Sequence, residues 1–147
     1  MIYKDILDRL ETIANDHLFI QKFGYGNLSD IEVPDNEEPP LYPYMFINPV
    51  NINQDRRFMN FNFNLIMMEQ VPDGEDNEIQ GQDECITFIQ DVLAKFTNSN
   101  NNYLMDVQLP VTITPFKERF QDSVVGATAN VTITYAKALD LCDPRFS

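Results

Sequence analysis

Two periods alternate along the chain. Ile6, Leu7, Leu10, Ile13 and Ala14 recur at three- and four-residue spacing, with Asp8, Arg9, Glu11 and Asn15 on the other side, which predicts an amphipathic helix. Asp16 stands where it would cap a short second helix carrying Leu18, Phe19 and Phe23, with Gly24 as its C-terminal cap and Gly26 allowing a turn. From Leu41 to Val50 the period falls to two. Tyr42, Tyr44 and Phe46 share one face of a predicted strand and Met45 and Ile47 the other, while Pro43 marks an edge position or an irregular start. The clearest pattern follows. Met59, Phe61, Phe63, Leu65 and Met67 alternate with Asn60, Asn62 and Asn64, as in a strand with one buried face. Such alternation favours antiparallel pairing.

Residues 71–82 read as an acidic loop containing Asp73, Glu75, Asp76 and Glu78. Cys85, Ile86, Phe88, Ile89, Val92, Leu93 and Phe96 then return to helical spacing, predicting a second helix from about Gln80 or Asp83 to Phe96, broken by the polar run 97–102. Residues 107–120 and 127–135 read as strands, joined in a hairpin through Gln121-Asp122-Ser123. Val-Thr-Ile-Thr occurs at 111–114 and again at 131–134, read as two strands in similar environments rather than as a repeat. The expected fold is α+β: about four mostly antiparallel strands with two helices packed on one face. A single domain is expected over 1–147, with an acidic, Pro-rich arm at about 27–40.

Charge changes what such a domain can do. The 23 acidic residues against 10 basic ones give a net charge of −13. A surface of that sign repels nucleic acid and anionic membranes, which argues against DNA wrapping or base reading but not against a surface past which DNA slides. Cys85 and Cys142 form no disulfide framework and read as reduced thiols of a cytosolic protein. Met1-Ile2-Tyr3-Lys4-Asp5 passes directly into the first helix, so no secretory leader is expected. No stretch approaches the roughly 18 apolar residues of a membrane span.

No pattern of catalytic residues emerges. His17 is the only histidine, and nothing marks Ser29, Ser99 or Ser123 as its nucleophile. One His with two distant Cys gives no zinc spacing. The acidic run from Asp73 to Glu78 fails the calcium-loop pattern. With so many acids, carboxylate pairs have no diagnostic value. Gly24-Tyr25-Gly26 is too short to cradle a phosphate. No enzyme activity, cofactor or metal is therefore expected. Arg56-Arg57 is the only adjacent basic pair, and together with Lys117 and Arg119 it suits contacts with acidic segments of other copies. Candidate interface residues are Asp35, Glu37 and Glu38 in the arm, Arg56 and Arg57, Asp73, Glu75 and Asp76 in the second acidic run, and Lys117, Arg119 and Asp122 around the hairpin.

The order of elements, with Phe23-Gly24-Tyr25-Gly26, Tyr42-Pro43-Tyr44-Met45-Phe46-Ile47, the strand 58–68, the helix 84–96 and the segment from Pro115 to Gly126, resembles the tail terminator and neck-ring proteins of tailed bacteriophages. Cys142-Asp143-Pro144 near the end of the chain adds to the likeness. The resemblance covers nearly the whole chain. The Asn-rich composition and the acidic arm depart from the commoner members and fit the neck rings of crAss-like phages at least as well. The resemblance implies a virion protein forming a homo-oligomeric ring of six or twelve copies at the head–tail junction or tail end. Such a ring is made in the host cytoplasm, docks neighbouring neck, portal or tail proteins, and lets DNA pass through its lumen without specific binding. A small acidic module acting on a basic partner, such as an inhibitor, an immunity protein or a nucleic-acid mimic, is the competing expectation from composition.

Overall fold

The computed structural model describes residues 2–28, 42–71, 75–98, 105–119 and 123–136. Their order is α1 (Ile2–Asp16), β1 (Lys22–Tyr25), β2 (Tyr44–Gln54), β3 (Met59–Gln70), α2 (Glu75–Asn98), β4 (Met105–Val107), β5 (Thr112–Arg119) and β6 (Ser123–Tyr135). The α+β class and the two helices on one face agree with the sequence pattern. The sheet is larger than expected, with six strands among the described residues, and it is mixed. β1 runs parallel to β2, whereas every other pairing is antiparallel.

Three differences have local causes. The expected second helix at 17–23 does not form: residues 17–19 bend, and Lys22–Tyr25 joins the sheet edge as β1 with Gly24 inside it. Asp16 therefore ends α1 rather than capping a new helix. The expected strand 107–120 is two strands. β4 and β5 lie end to end along the edge of β6 that β3 leaves open, and Gln108 keeps the ladder going by donating its N–H to the Thr132 carbonyl. Leu109-Pro110 separates them, since proline has no N–H for the ladder. Finally, α2 begins at Glu75, so Glu75, Asp76 and Glu78 fall in its first turns instead of a loop.

β2, β3 and β6 form the centre of the sheet. Met45, Met67 and Ala127 share one row of the ladder, and Ile47, Leu65 and Ala129 the next, all fully buried beneath the helices. The helices contribute Ile6, Leu10, Ile13, Ile89, Val92 and Phe96 to the same core. Each fully buried aliphatic is worth roughly 1.5–3 kcal/mol over its exposed state. Arg9 locks the layer. Its guanidinium lies 4.5 Å from the Phe96 ring centre and donates to the Phe96 carbonyl at 3.2 Å, near the negative end of α2.

The opposite face of the sheet carries a second, smaller core of Tyr44, Phe46, Ile66, Met68 and Val124, with Phe116 and Tyr42 packed against it. Gly126 makes this possible: a Cβ there would run into the Met67 carbonyl and come within 2.9 Å of the Phe116 ring. Further along the same face the residues become asparagine and threonine.

Candidate functional site

Among the described residues, the sequence-predicted interface residues do not converge. Asp35, Glu37, Glu38, Asp73 and Asp122 lie outside the described residues, as does most of the 27–40 arm. Glu75 and Asp76 fall in the first turn of α2 instead of a loop. Arg119 ends β5. Lys117, also on β5, pairs with Glu78 of α2 at 2.9 Å, a contact within the chain. Arg56 and Arg57 sit at the far end of the sheet, on the tip of the β2–β3 hairpin. Lys117 is opposite Val125, ten residues before Tyr135 on β6, and Tyr135 pairs with Met59 beside that tip. At the rise of a strand this separates the two basic sites by roughly 30 Å.

The hairpin tip is a defined structure. Asp55 accepts the backbone N–H groups of Arg57 and Phe58 at 2.8 and 2.7 Å, and its own N–H donates to the Phe58 carbonyl. These bonds hold its carboxyl below the usual range. Residues 51–58 are all exposed, so the hairpin projects past the helical layer with Arg56 and Arg57 at its end. Beside its base, Tyr3 and Leu7 of α1 and Pro49, Val50, Ile52 and Phe61 of the hairpin line an apolar groove of about 270 Å³.

A second hollow, of about 470 Å³, lies where α1 ends against α2. His17 is its centre. Its Nδ1 accepts the Phe19 N–H at 3.1 Å, which places the proton of the neutral ring on Nε2, and Nε2 is 2.9 Å from the Asp91 carboxylate. The ring edge also packs against Phe88, 5.2 Å between centroids. A His–Asp pair invites a catalytic reading, but here the second nitrogen is held by backbone instead of facing a nucleophile. Thr87 lines the same hollow and donates its hydroxyl to the Asp83 carbonyl. The arrangement ties the end of α1 to α2. The sequence showed His17 at a helix boundary, but no spacing rule connects it with Asp91, 74 residues away.

Cys85 is buried on the inner face of α2, and burial, with Glu69 and Glu84 nearby, pushes its thiol up to about 12. It is an unreactive core residue at neutral pH. Cys142 lies outside the described residues. Among the described residues no group of three His, Cys, Asp or Glu side chains is placed to hold a metal, and no helix is long and apolar enough to cross a membrane.

The outer sheet face offers a different chemistry. Three rows cross β2, β3 and β6: Asn48–Asn64–Asn130, Asn51–Asn62–Thr132 and Asn53–Asn60–Thr134. Their side chains bond one another. Asn62 donates to Asn51 at 2.6 Å and accepts from Thr132 at 2.6 Å; Thr134 donates to Asn60 at 2.9 Å. These rows form an ordered, uncharged surface on a strongly acidic protein. The alternating asparagines were visible in the sequence, whereas their alignment into rows required the register.

Compared with known proteins, the chain matches no family model and no curated protein.

Proposed function

We propose that this protein is a structural ring subunit of a tailed bacteriophage, built into the neck or tail end. The observation that carries the reading is the projecting β2–β3 hairpin: eight successive exposed residues, a turn fixed by Asp55 and an arginine pair at its end, on a body that otherwise packs tightly. A rigid arm of this kind suits joining one subunit to the next or to the layer above. The acidic outer side of α2, with Asp83, Glu84 and Asp91 against Lys95, supplies a surface to which passing DNA does not adhere. The order of elements and the segments that resemble tail terminators and neck rings support the same assignment.

Electron microscopy of assembled particles labelled with antibody to this chain tests it. A ring coaxial with the tail is the expected result; label absent from neck and tail overturns the proposal. A lumen lined by Lys and Arg overturns the DNA-passage part alone. The acidic α2 face also favours a second reading, a small module that neutralises a basic partner. That reading predicts a one-to-one complex with a basic protein from the host cell and no ring.

A further inference from the structure

The largest exposed apolar side chains near α1 gather at its two ends. At its start, Tyr3, Val50 and Ile52 rim the groove and are 42%, 56% and 45% exposed. Just past its last residue, Leu18 is 86% and Phe19 is 59% exposed, so this corner projects. Phe19 is not loose: its ring stacks on Phe88 at 5.9 Å and its N–H is held by His17. One end of the helix therefore carries a narrow groove and the other a projecting corner, the flank of which toward α2 lines the 470 Å³ hollow. The 15 residues of α1 hold them roughly 21 Å apart.

The dimensions favour a protein side chain over a small ligand. The groove's 270 Å³ falls below the roughly 300–1,000 Å³ of ligand pockets, while it suits one or two apolar side chains. A corner and a groove on different surfaces define a head-to-tail contact, not a self-complementary one. The charges agree. Around the corner, Asp16 and Asp91 outnumber Lys95. Beyond the groove the hairpin tip carries Arg56 and Arg57 against one acid, Asp55, whose carboxylate keeps its charge, while at the start of α1 Lys4 pairs with Asp8 at 3.0 Å and Asp5 is a further acid.

We infer that the Leu18–Phe19 corner of one copy seats in the Tyr3–Val50–Ile52 groove of the next, with Arg56 and Arg57 facing the acids beside the corner. Closure of such contacts into a ring rests on the proposed function; the contact itself does not.

Two variants test it: a corner variant, Leu18→Asp with Phe19→Ser, and a groove variant, Val50→Asp with Ile52→Asp. All four positions are exposed, and circular dichroism melts check that both variants fold. Sedimentation velocity is then run on the wild type, each variant and their equimolar mixture up to the highest soluble concentration. Each variant alone is expected to stay monomeric where the wild type associates. The mixture is expected to stop at a dimer, because it holds one intact corner and one intact groove, with association at least tenfold tighter than for either variant alone. Variants that associate as the wild type does overturn the contact and leave the ring reading standing. A wild type that associates with a mixture that stays monomeric does the same. A wild type and a mixture that both remain monomeric overturn the contact and remove self-association as support for the ring.

Discussion

β2, β3 and β6 run the whole length of the sheet, yet its two ends are built on different principles. At one end, Tyr44, Met68 and Gly126 form a row, and Phe46 and Ile66 the next, closed by Thr128, so β2 and β3 are apolar on both faces. At the other, the helix-facing side stays apolar through Phe61, Phe63 and Ile133, while the outer side turns to asparagine and threonine. The first end is held by close packing, in which a single added atom is felt. The second is held on its outer side by hydrogen bonds among partly exposed side chains, each worth about 0.5–1.5 kcal/mol. Close packing on both faces is concentrated at one end, and the fixed, exposed hairpin tip lies at the other.

Gly126→Val gives the largest expected effect. The added carbons meet the Met67 backbone and the Phe116 ring, neither of which can retreat without opening the β3–β6 ladder or the second core. A loss above about 4 kcal/mol, or no folded protein at all, is expected from chemical denaturation. A loss below 1 kcal/mol would mean that the outer core is loose and that the two ends are alike. Phe46→Ala, in the next row, is expected to cost about 3–5 kcal/mol. Asn62→Ala sharpens the contrast from the other end. It removes two side-chain hydrogen bonds at a partly exposed position and is expected to cost only about 1–2 kcal/mol in the same assay.

The same contrast explains which parts of the fold could be read from sequence. Strict alternation from Met59 to Met67 with Asn60 to Asn64 betrays a strand with one wet face, and β3 lies there. The two-sided pattern of Tyr44, Phe46, Met45 and Ile47 likewise separates into the two cores. Reading failed where local signals competed with tertiary pairing. Residues 22–25 carry two aromatics around a glycine and become a strand only because β2 offers a parallel edge. The start of α2 was obscured by Gly74, Gly81 and a run of acids, all of which resemble a loop. Gly81 in fact lies within α2, where an added Cβ would stand 2.7 Å from the Val125 side chain and 2.8 Å from that of Val71. For the candidate sites, Arg56-Arg57 was legible as a pair, but the groove and the corner were not. Both depend on which apolar residues remain exposed after the helices dock.

Two carboxylates report the two ends with opposite signs. Glu69, near the packed end, is raised above the usual carboxylate range, first by burial and then by Glu84. Its ionisation therefore opposes folding. The penalty is complete at pH 7, shrinks as pH falls through the raised folded value, and is gone below its ordinary value of about 4.3. Asp55, at the exposed tip, is lowered by two backbone N–H bonds, so its ionisation favours folding. That benefit persists down to its ordinary value of about 3.9 and is lost only as pH falls through the lowered folded value. Glu69→Gln is thus expected to raise the Tm at pH 7 and Asp55→Asn to lower it, both modestly. On acidification the Glu69→Gln difference should close first, above pH of about 4.3, while the Asp55→Asn difference persists and closes only below about 3.9. Melting curves across pH 3–7 read both. Differences of the same sign, or closing in the reverse order, would mean that the two carboxylates share one environment and that the ends of the sheet differ in composition but not in physics.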